Sequence, residues 1–397
     1  MKSALYVVGD KAQHMFVAVQ PFIDFEKRLK DKDELERNIT RRCTSIDLQK
    51  IEKRYYFYKT LEEKKEILEQ TKYEINNLYE MVIKETNSDI NKINQLKLHK
   101  HVVTEELKSL KEYLYSLEEN VMISILGLPN DIHELTPEED QIIHEFMEKP
   151  SHRSESHMKI GLNIIKLVEN WGCYLRSDAS LFELAISNYF QRSLIRSDFI
   201  QFQNADFTRS VVVEGCGTDV VNNKEVVTIY EPNTKNEVVE ELSRLHLTGS
   251  ASMYAFMAYF AKNLVYRSQF PLKYFCYGRS YKGLRSNKNL FDLTQESALN
   301  VFVASVDDVW VHFKHLTDDI IQIYNNLGYH YRLVYLQPSK LNKSESLRLS
   351  IQMFSNHQQE YVEVGNLSLY DTYISERLLF SCLGKEQIFP KLIGVIS

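Results

Sequence analysis

Charged side chains that could bind a nucleotide are concentrated in residues 271–302, which read as two strands around a loop. Arg279 and Lys282 lie on the first strand, where their side chains could line a pocket. Asp292 and Glu296 follow on the return side, and their carboxylates would repel a polyphosphate in a partly desolvated pocket. A pocket formed by this stretch would therefore carry charges of both signs.

No other pattern along the chain predicts an enzymatic centre. His312, His315 and His330 are isolated, which is typical of packing or surface histidines. The five cysteines show no C-x-x-C spacing, and their odd number argues against a disulfide framework. Because metal-ligand spacings and Gly-rich phosphate loops are also missing, we expect no metal and no cofactor.

Five motifs, met in the expected order, resemble those of the seryl-tRNA synthetases, which are class II aminoacyl-tRNA synthetases. They are L-G-L-P-N-D-I-H at 126–133, H-M-K-I-G at 157–161, an apolar helix over 181–197 like motif 1, V-E-G-C-G at 213–217 and Y-G-R-S-Y at 277–281. The resemblance runs from Phe22 to the C terminus. It is strongest for the mitochondrial enzymes, and the pattern of departures is similar to that of the seryl-tRNA synthetase-like insect mitochondrial proteins.

The resemblance implies ATP contacts on the hairpin, but this chain carries other residues at those positions. They are Lys282 and Asp292 at the two arginines, Leu284 and Asn300 at two glutamates, Thr294 at the histidine, Glu296 at the adenine-stacking Phe and Ala298 at the lysine. The loop 285–289 also looks shortened. Replacing Arg by Lys removes a planar bidentate phosphate clamp. We therefore expect no detectable ATP binding.

The positions that the resemblance implies for serine recognition and for motif 3 also differ. Ser252 stands at the glutamate that pairs with the substrate ammonium, and a neutral hydroxyl cannot replace that charge. Lys391 stands at the motif 3 arginine, whereas Ser368 and Arg377 are retained from the serine pocket. Aminoacylation is therefore not expected. An alternative is new chemistry in a remodelled pocket, lined by Arg279, Lys282, Lys391 and His246.

The N-terminal part of the chain predicts a long antiparallel pair of helices. Leu61, Leu68, Ile75 and Val82 recur at seven-residue steps, and a second run has an apolar seam at 103, 107, 110, 114, 117 and 121. Residues 87–89 separate the two runs. Such an arm is either a structural coiled coil or a tRNA-binding device. The residues expected to contact RNA near its tip are Lys84, Lys92, Lys97, His99, Lys100 and His101.

Composition limits the possible partners. The net charge of −6 and the pI near 6.1 exclude a broad basic field, so any RNA contact must be local. No apolar run reaches the ~18 residues of a membrane span, so we expect no membrane partner. Residues 1–21 contain no Arg and do not form an amphipathic presequence. If the protein works in an organelle, we therefore expect this sequence to be the mature form, from which the targeting segment is absent.

The resemblance implies an α+β fold, with a class II core of antiparallel sheet flanked by helices and an N-terminal coiled-coil arm. The expected divisions are an N-terminal segment packed on the core (1–46), the arm (47–126), a linker (127–150) and the core with its dimer surface (151–397). Periodicity alone would indicate mixed α and β content after Asp140. Tyrosine-rich strands that contain few Gly and Pro residues agree with a large sheet.

The functional expectation is a noncatalytic subunit that forms a heterodimer with active mitochondrial seryl-tRNA synthetase. It would stabilise that enzyme and help it bind mitochondrial serine tRNA, in the mitochondrial matrix. The placement in mitochondria comes wholly from the resemblance. An alternative is a homodimeric RNA-binding or regulatory protein that acts outside aminoacylation.

Overall fold

The structure is a computed structural model that describes residues 3–7, 19–84, 90–169, 171–220, 226–229, 243–283, 290–291, 293–384 and 387–396. Two compact units can be distinguished. The first centres on Ser45–Leu128, and the second on His14–Thr44 together with Pro129–Ser397.

Helices in the described part of the chain follow in this order. They are α1 (Phe25–Lys30), α2 (Lys32–Arg41), α3 (Leu48–Lys84), α4 (Ile90–Leu126), α5 (His157–Ile160), α6 (Asp178–Arg196), α7 (Ser210–Gly215), α8 (Met253–Phe260), α9 (Val309–Leu327) and α10 (Tyr373–Leu378). Short 3-10 turns occur at Arg267–Gln269 and Pro338–Lys340. None of the described helices is both long enough and apolar enough to cross a bilayer.

The described strands form one large sheet and three small ones. They are β1 (Gln141–Phe146), β2 (Ile165–Val168), β3 (Gly172–Leu175), β4 (Ile200–Gln201), β5 (Phe207–Arg209), β6 (Val227–Thr228), β7 (Leu245–Leu247), β8 (Leu264–Tyr266), β9 (Leu272–Tyr281), β10 (Gln295–Ser305), β11 (Tyr331–Tyr335), β12 (Leu347–Ser355), β13 (Glu360–Asp371), β14 (Ser381–Leu383) and β15 (Lys391–Ile396).

The large sheet has the order β1-β11-β12-β13-β15-β10-β9-β4. Every neighbouring pair is antiparallel except β4 and β9, which are parallel. The small sheets are β2-β3, β5-β7-β6 and the parallel pair β14-β8. The predicted α+β fold, with an antiparallel-rich sheet and a helical arm, is confirmed.

The arm consists of α3 and α4, each 37 residues long, or about 55 Å at 1.5 Å per residue. The predicted seam is confirmed, since Val82 on α3 and Leu107, Leu114 and Val121 on α4 are buried. Asp47 caps α3, because its carboxylate accepts a 3.0 Å hydrogen bond from the Lys50 amide. The predicted interruption at 87–89 lies outside the described residues.

The large sheet buries both of its faces, and β10 shows which residues belong to each. Phe302 lies against Phe256 and Phe260 of α8, with ring centroids 5.2 and 5.1 Å apart, so we call this side the α8 face. Val301 and Val303 point the other way and join Phe313, Leu316 and other side chains of α9 in the main core, on the α9 face. Alternation along β10 therefore assigns its even-numbered residues to the α8 face.

Residues 127–150, expected to form a linker, contain the edge strand β1, which pairs with β11. Its sequence, Q-I-I-H-E-F, includes three residues that favour strands, and Phe146 packs against the main core. In the N-terminal segment, Leu35 and Ile39 of α2 are buried within the second unit.

Candidate functional site

The β9–β10 hairpin brings two of the predicted site residues into direct contact. The Nζ of Lys282 lies 2.6 Å from Oε1 of Glu296, and the Lys282 amide donates a 2.8 Å hydrogen bond to the Thr294 carbonyl. Glu296 is even-numbered on β10, so this ion pair lies on the α8 face. Both side chains are partly exposed. The cation that could bind a phosphate is therefore already neutralised by a carboxylate of the same hairpin.

Asn300 lies four residues further along the same face and is completely buried. Neither its amide oxygen nor its amide nitrogen has a hydrogen-bond partner among the described residues. A neutral amide offers no charge to a hard cation such as Mg²⁺, which prefers carboxylate ligands. Leu284 and Asp292, two further hairpin positions, lie outside the described residues.

Arg279 belongs to the opposite face of the sheet. It pairs in register with Ser297, and its guanidinium donates a 2.6 Å hydrogen bond to the Ser297 hydroxyl. The carboxylate of Glu183 on α6 lies 3.7 Å from the same guanidinium nitrogen and also accepts from Ser297. Arg279 therefore does not share a pocket with Lys282.

Lys391 lies far from the hairpin pair along the sheet. Lys391 is the first residue of β15 and pairs with Ser305, at the end of β10. Glu296 lies near the other end of β10. About nine residues separate the two positions, or roughly 30 Å at about 3.4 Å per residue. The Nζ of Lys391 instead approaches Asp371, at 3.9 Å. Arg279, Lys282 and Lys391 therefore do not line one remodelled pocket, contrary to the alternative raised by the sequence.

His246 is also held apart, inside the small β5-β7-β6 sheet. Its ring nitrogens lie 2.8 Å from the Ser210 hydroxyl and 3.1 Å from the Thr228 hydroxyl. Burial, together with nearby Arg244, lowers the pKa of His246 to about 4. The imidazole is neutral at physiological pH and committed to two hydroxyls, which is the arrangement of a structural histidine.

The segment 248–252 packs directly on β9 and begins α8. Ser252 is the N-cap of α8: its hydroxyl accepts from the Ala255 amide at 3.2 Å and donates to the Gly249 carbonyl at 2.7 Å. A Cβ on Gly249 would collide with the backbone carbonyl of Arg279. The Ser252 hydroxyl thus connects the Gly249 carbonyl with the first turn of α8, in a segment that packs against the hairpin.

Ser368 and Arg377, the retained members of the predicted serine pocket, are buried and internally bonded. The Ser368 hydroxyl donates to Oε1 of Glu345 at 2.8 Å. Arg377 donates to the Tyr373 carbonyl at 3.1 Å, and its guanidinium lies 3.3 Å from the centre of the Tyr373 ring. Both side chains therefore serve packing within the second unit.

Two structural residues were missed by the motif search. Asn130, inside the L-G-L-P-N motif, donates 2.9 Å hydrogen bonds to the carbonyls of Ser344 and Tyr370. Arg42 donates to the carbonyls of Asn130, Asn342 and Glu345, and burial lowers its pKa to about 10. The conspicuous Pro-Asn pair was the available signal for Asn130, while nothing near Arg42 distinguishes it from surface arginines.

The six residues predicted to contact RNA are all exposed and lie at the distal end of the arm. Lys84 ends α3, and the other five occupy the first turns of α4. Residues 90–104 of α4 contain three lysines and two histidines but no Asp or Glu. This stretch is therefore a local basic surface on an acidic chain.

Exposed apolar side chains mark another surface, in the second unit. On α6, Leu181, Phe182 and Leu184 are 64%, 62% and 53% exposed. On the β2–β3 hairpin and its turn, Trp171 and Tyr174 are 50% and 69% exposed. Large exposed apolar residues grouped in this way are typical of a protein interface.

No protein-family model matches the chain. The serine–tRNA synthetase-like protein Slimp of Drosophila melanogaster is 30% identical over 390 residues, which cover 96% of this chain and 82% of that protein.

Two solved structures share the fold. Seryl-tRNA synthetase from Pyrococcus horikoshii, complexed with ATP, superposes with a TM-score of 0.80 at 14% identity, covering 94% of this chain and 91% of that one. Cytoplasmic serine-tRNA ligase from Naegleria fowleri, in complex with AMP, gives 0.76 at 15% identity and the same coverages.

Proposed function

The chain belongs to the family of seryl-tRNA synthetase-like proteins, and on this premise we propose that it is a noncatalytic subunit. It pairs with the active mitochondrial seryl-tRNA synthetase in the mitochondrial matrix, stabilises it and supports its binding of serine tRNA. One observation carries the noncatalytic part of the proposal: the 2.6 Å ion pair between Lys282 and Glu296.

The ion pair argues against ATP binding through charge and geometry. A lysine ammonium cannot make the bidentate phosphate contact of an arginine. Here it is also neutralised by Glu296, whose carboxylate would repel an incoming phosphate. Binding ATP would require this pair to separate and the carboxylate to lie beside a polyanion.

The exposed apolar surface of α6 and the β2–β3 hairpin supports pairing with another synthetase-type subunit. Leu181, Phe182 and Trp171 contribute large apolar areas that a free monomer would leave in water. An obligate dimer interface is richer in such residues than ordinary surface. The surface lies on the helix that the sequence relates to motif 1, where the family resemblance places dimerisation.

The basic stretch of α4 supports the tRNA-binding part of the proposal. Lys92, Lys97 and Lys100 lie within an exposed segment that is free of acidic residues. Lysines on such a segment gain affinity for phosphates by releasing counterions, even when the whole protein is acidic.

Native mass measurement of the complex purified from its own cells tests the pairing. A heterodimer with the active enzyme supports the proposal. A stable homodimer that does not exchange subunits with that enzyme overturns it and favours an independent RNA-binding protein. Substituting Leu181 and Phe182 by Ser should release the partner, whereas Ser substitution of the exposed Ile67 and Leu98 on the arm should leave pairing intact.

Removal of residues 84–101 tests the role of the arm. In the assembled complex, we expect weaker tRNA binding and a shallower salt dependence. The deletion should leave the heterodimer intact, which separates failure of the RNA contact from failure of assembly. Unchanged charging kinetics after the deletion would reject a role for the arm in tRNA binding.

A further inference from the structure

A cavity of about 240 Å³ lies beside α9, on the α9 face of the large sheet. His312, His315 and Asp319 line one wall, and their spacing places them on one side of the helix. Lys273 of β9 and the turn at Ser197 and Asp198 line the rest. The volume is below the roughly 300 Å³ at which sites for drug-sized ligands begin, so the cavity suits a small metabolite.

His312 contributes its ring to the cavity wall. Its Nδ1 is shielded from solvent and has no hydrogen-bond partner among the described residues. Burial lowers the pKa of His312, and the positive charge of Lys273 adds to that effect.

Opposite charges meet around the cavity. The Nζ of Lys273 lies 5.6 Å from the centre of the Phe199 ring. Asp198 and Asp319 supply carboxylates, and the Asp319 carboxylate is hydrogen-bonded by Ser197. His315 adds an exposed imidazole. A ligand with only a negative charge would be repelled by the two carboxylates. A ligand with only a positive charge would be repelled by the ammonium of Lys273.

A ligand that carries both charges avoids both repulsions. We propose that this cavity binds a small zwitterion, a free α-amino acid being the simplest member of the class. Its carboxylate is recognised by Lys273 and its ammonium by the aspartates. Each charge of the zwitterion would then face a group of the opposite sign.

This site is distinct from the Lys282–Glu296 pair. Val303, which lines the cavity, belongs to the α9 face, whereas Glu296 lies on the α8 face. The sheet separates the two positions. Ligand binding in the cavity is therefore separate from the proposed function and does not depend on it.

Calorimetric titration of the native chain with the standard amino acids tests the proposal. We expect saturable binding of at least one of them, and none of acetate or methylammonium, which carry one charge each. Lys273→Met and Asp319→Asn should each weaken binding by about tenfold or more, as expected for loss of a charge-assisted contact. Lys314→Gln, on an exposed neighbouring position of α9, is the matched control and should leave binding unchanged.

Three results would overturn the proposal. They are no saturable binding of any amino acid, equally tight binding of acetate or methylammonium, or binding that is lost in Glu296→Gln but kept in Lys273→Met. Asp198→Asn removes an exposed carboxylate that is assigned to the ammonium, and it serves as a second variant if Lys273→Met does not fold. It should weaken binding too, and circular dichroism confirms that each variant is folded.

Discussion

The ammonium of Lys282 and the carboxylate of Glu296 form an ion pair at the loop end of the β9–β10 hairpin, 2.6 Å apart. Side-chain exposures of 41% and 30% leave the pair accessible to water. Such pairs contribute at most about 1 kcal/mol to the free energy of unfolding. The importance of this pair is therefore chemical, because it neutralises the cation on the face where a nucleotide would bind.

Titration with Mg-ATP should give no saturable heat with the native protein, since Lys282 is neutralised and Asn300 offers a metal no charge. Glu296→Gln removes the repulsive carboxylate but restores neither an arginine nor an acidic metal ligand. This variant should therefore also show no saturable binding of ATP. An active seryl-tRNA synthetase, titrated in parallel, is the positive control. Saturable ATP binding that disappears in Lys282→Met would contradict this expectation.

The sequence predicted the hairpin but not its internal pairing. Two strands around a loop follow from composition, and the structure places them at Leu272–Tyr281 and Gln295–Ser305. Which side chains share a face depends on the register, and the register depends on the loop between the strands. Lys282 and Glu296 meet through that register, whereas Arg279, three positions before Lys282, lies on the opposite face because side chains alternate along a strand.

Gly249→Ala should destabilise the protein by more than about 3 kcal/mol, because backbone strain and a steric collision act together. Gly249 has φ +82°, and a Cβ there would meet the Arg279 carbonyl. Gly328→Ala is the matched control, since Gly328 has φ +71° with nothing within 4 Å. It should lose only about 1 kcal/mol. Urea unfolding compares the two, and equal losses would show that the close packing of 248–252 on β9 is wrong.

Ser252→Ala should lower the free energy of unfolding by about 1 kcal/mol, the usual effect of removing an N-cap hydroxyl. Ser252→Thr keeps an oxygen that can accept from the Ala255 amide, so it should retain most of the stability. Chemical denaturation measures both variants. If Ser252→Ala unfolds like the native chain, Ser252 does not act as the cap of α8.

His246 should make the protein less stable in mild acid. Its folded pKa of about 4 lies below the ordinary value of 6.5, so the unfolded chain binds more protons between these values. The stabilisation is complete above about pH 6.5 and is lost as the pH falls towards about 4, by about 3 kcal/mol in total. Urea unfolding between about pH 7.5 and about pH 5 should show this decline. His246→Gln should flatten it, and an unchanged slope in that variant would assign the effect to other groups.

The arm was the most predictable part of the fold. The four-three spacing from Val103 to Val121 fixes which side of α4 is buried, and residues such as Leu107 and Leu114 follow it. Long-range contacts were not predictable in this way. Arg42 donates to carbonyls about 90 to 300 positions away in sequence, and no local periodicity encodes such a contact.

Replacing Lys92, Lys97 and Lys100 by Gln should weaken tRNA binding by the assembled complex without disturbing the arm, because all three are exposed on α4. If each contacts a phosphate, the slope of log affinity against log salt should fall by about two to three. Lys53, Lys64 and Lys108 are also exposed but lie elsewhere on α3 and α4, so their replacement by Gln is the matched control. Filter binding over a range of salt concentrations measures both sets. Equal losses for the two triple variants would indicate a diffuse charge effect, and would reject a specific RNA contact at the distal end of the arm.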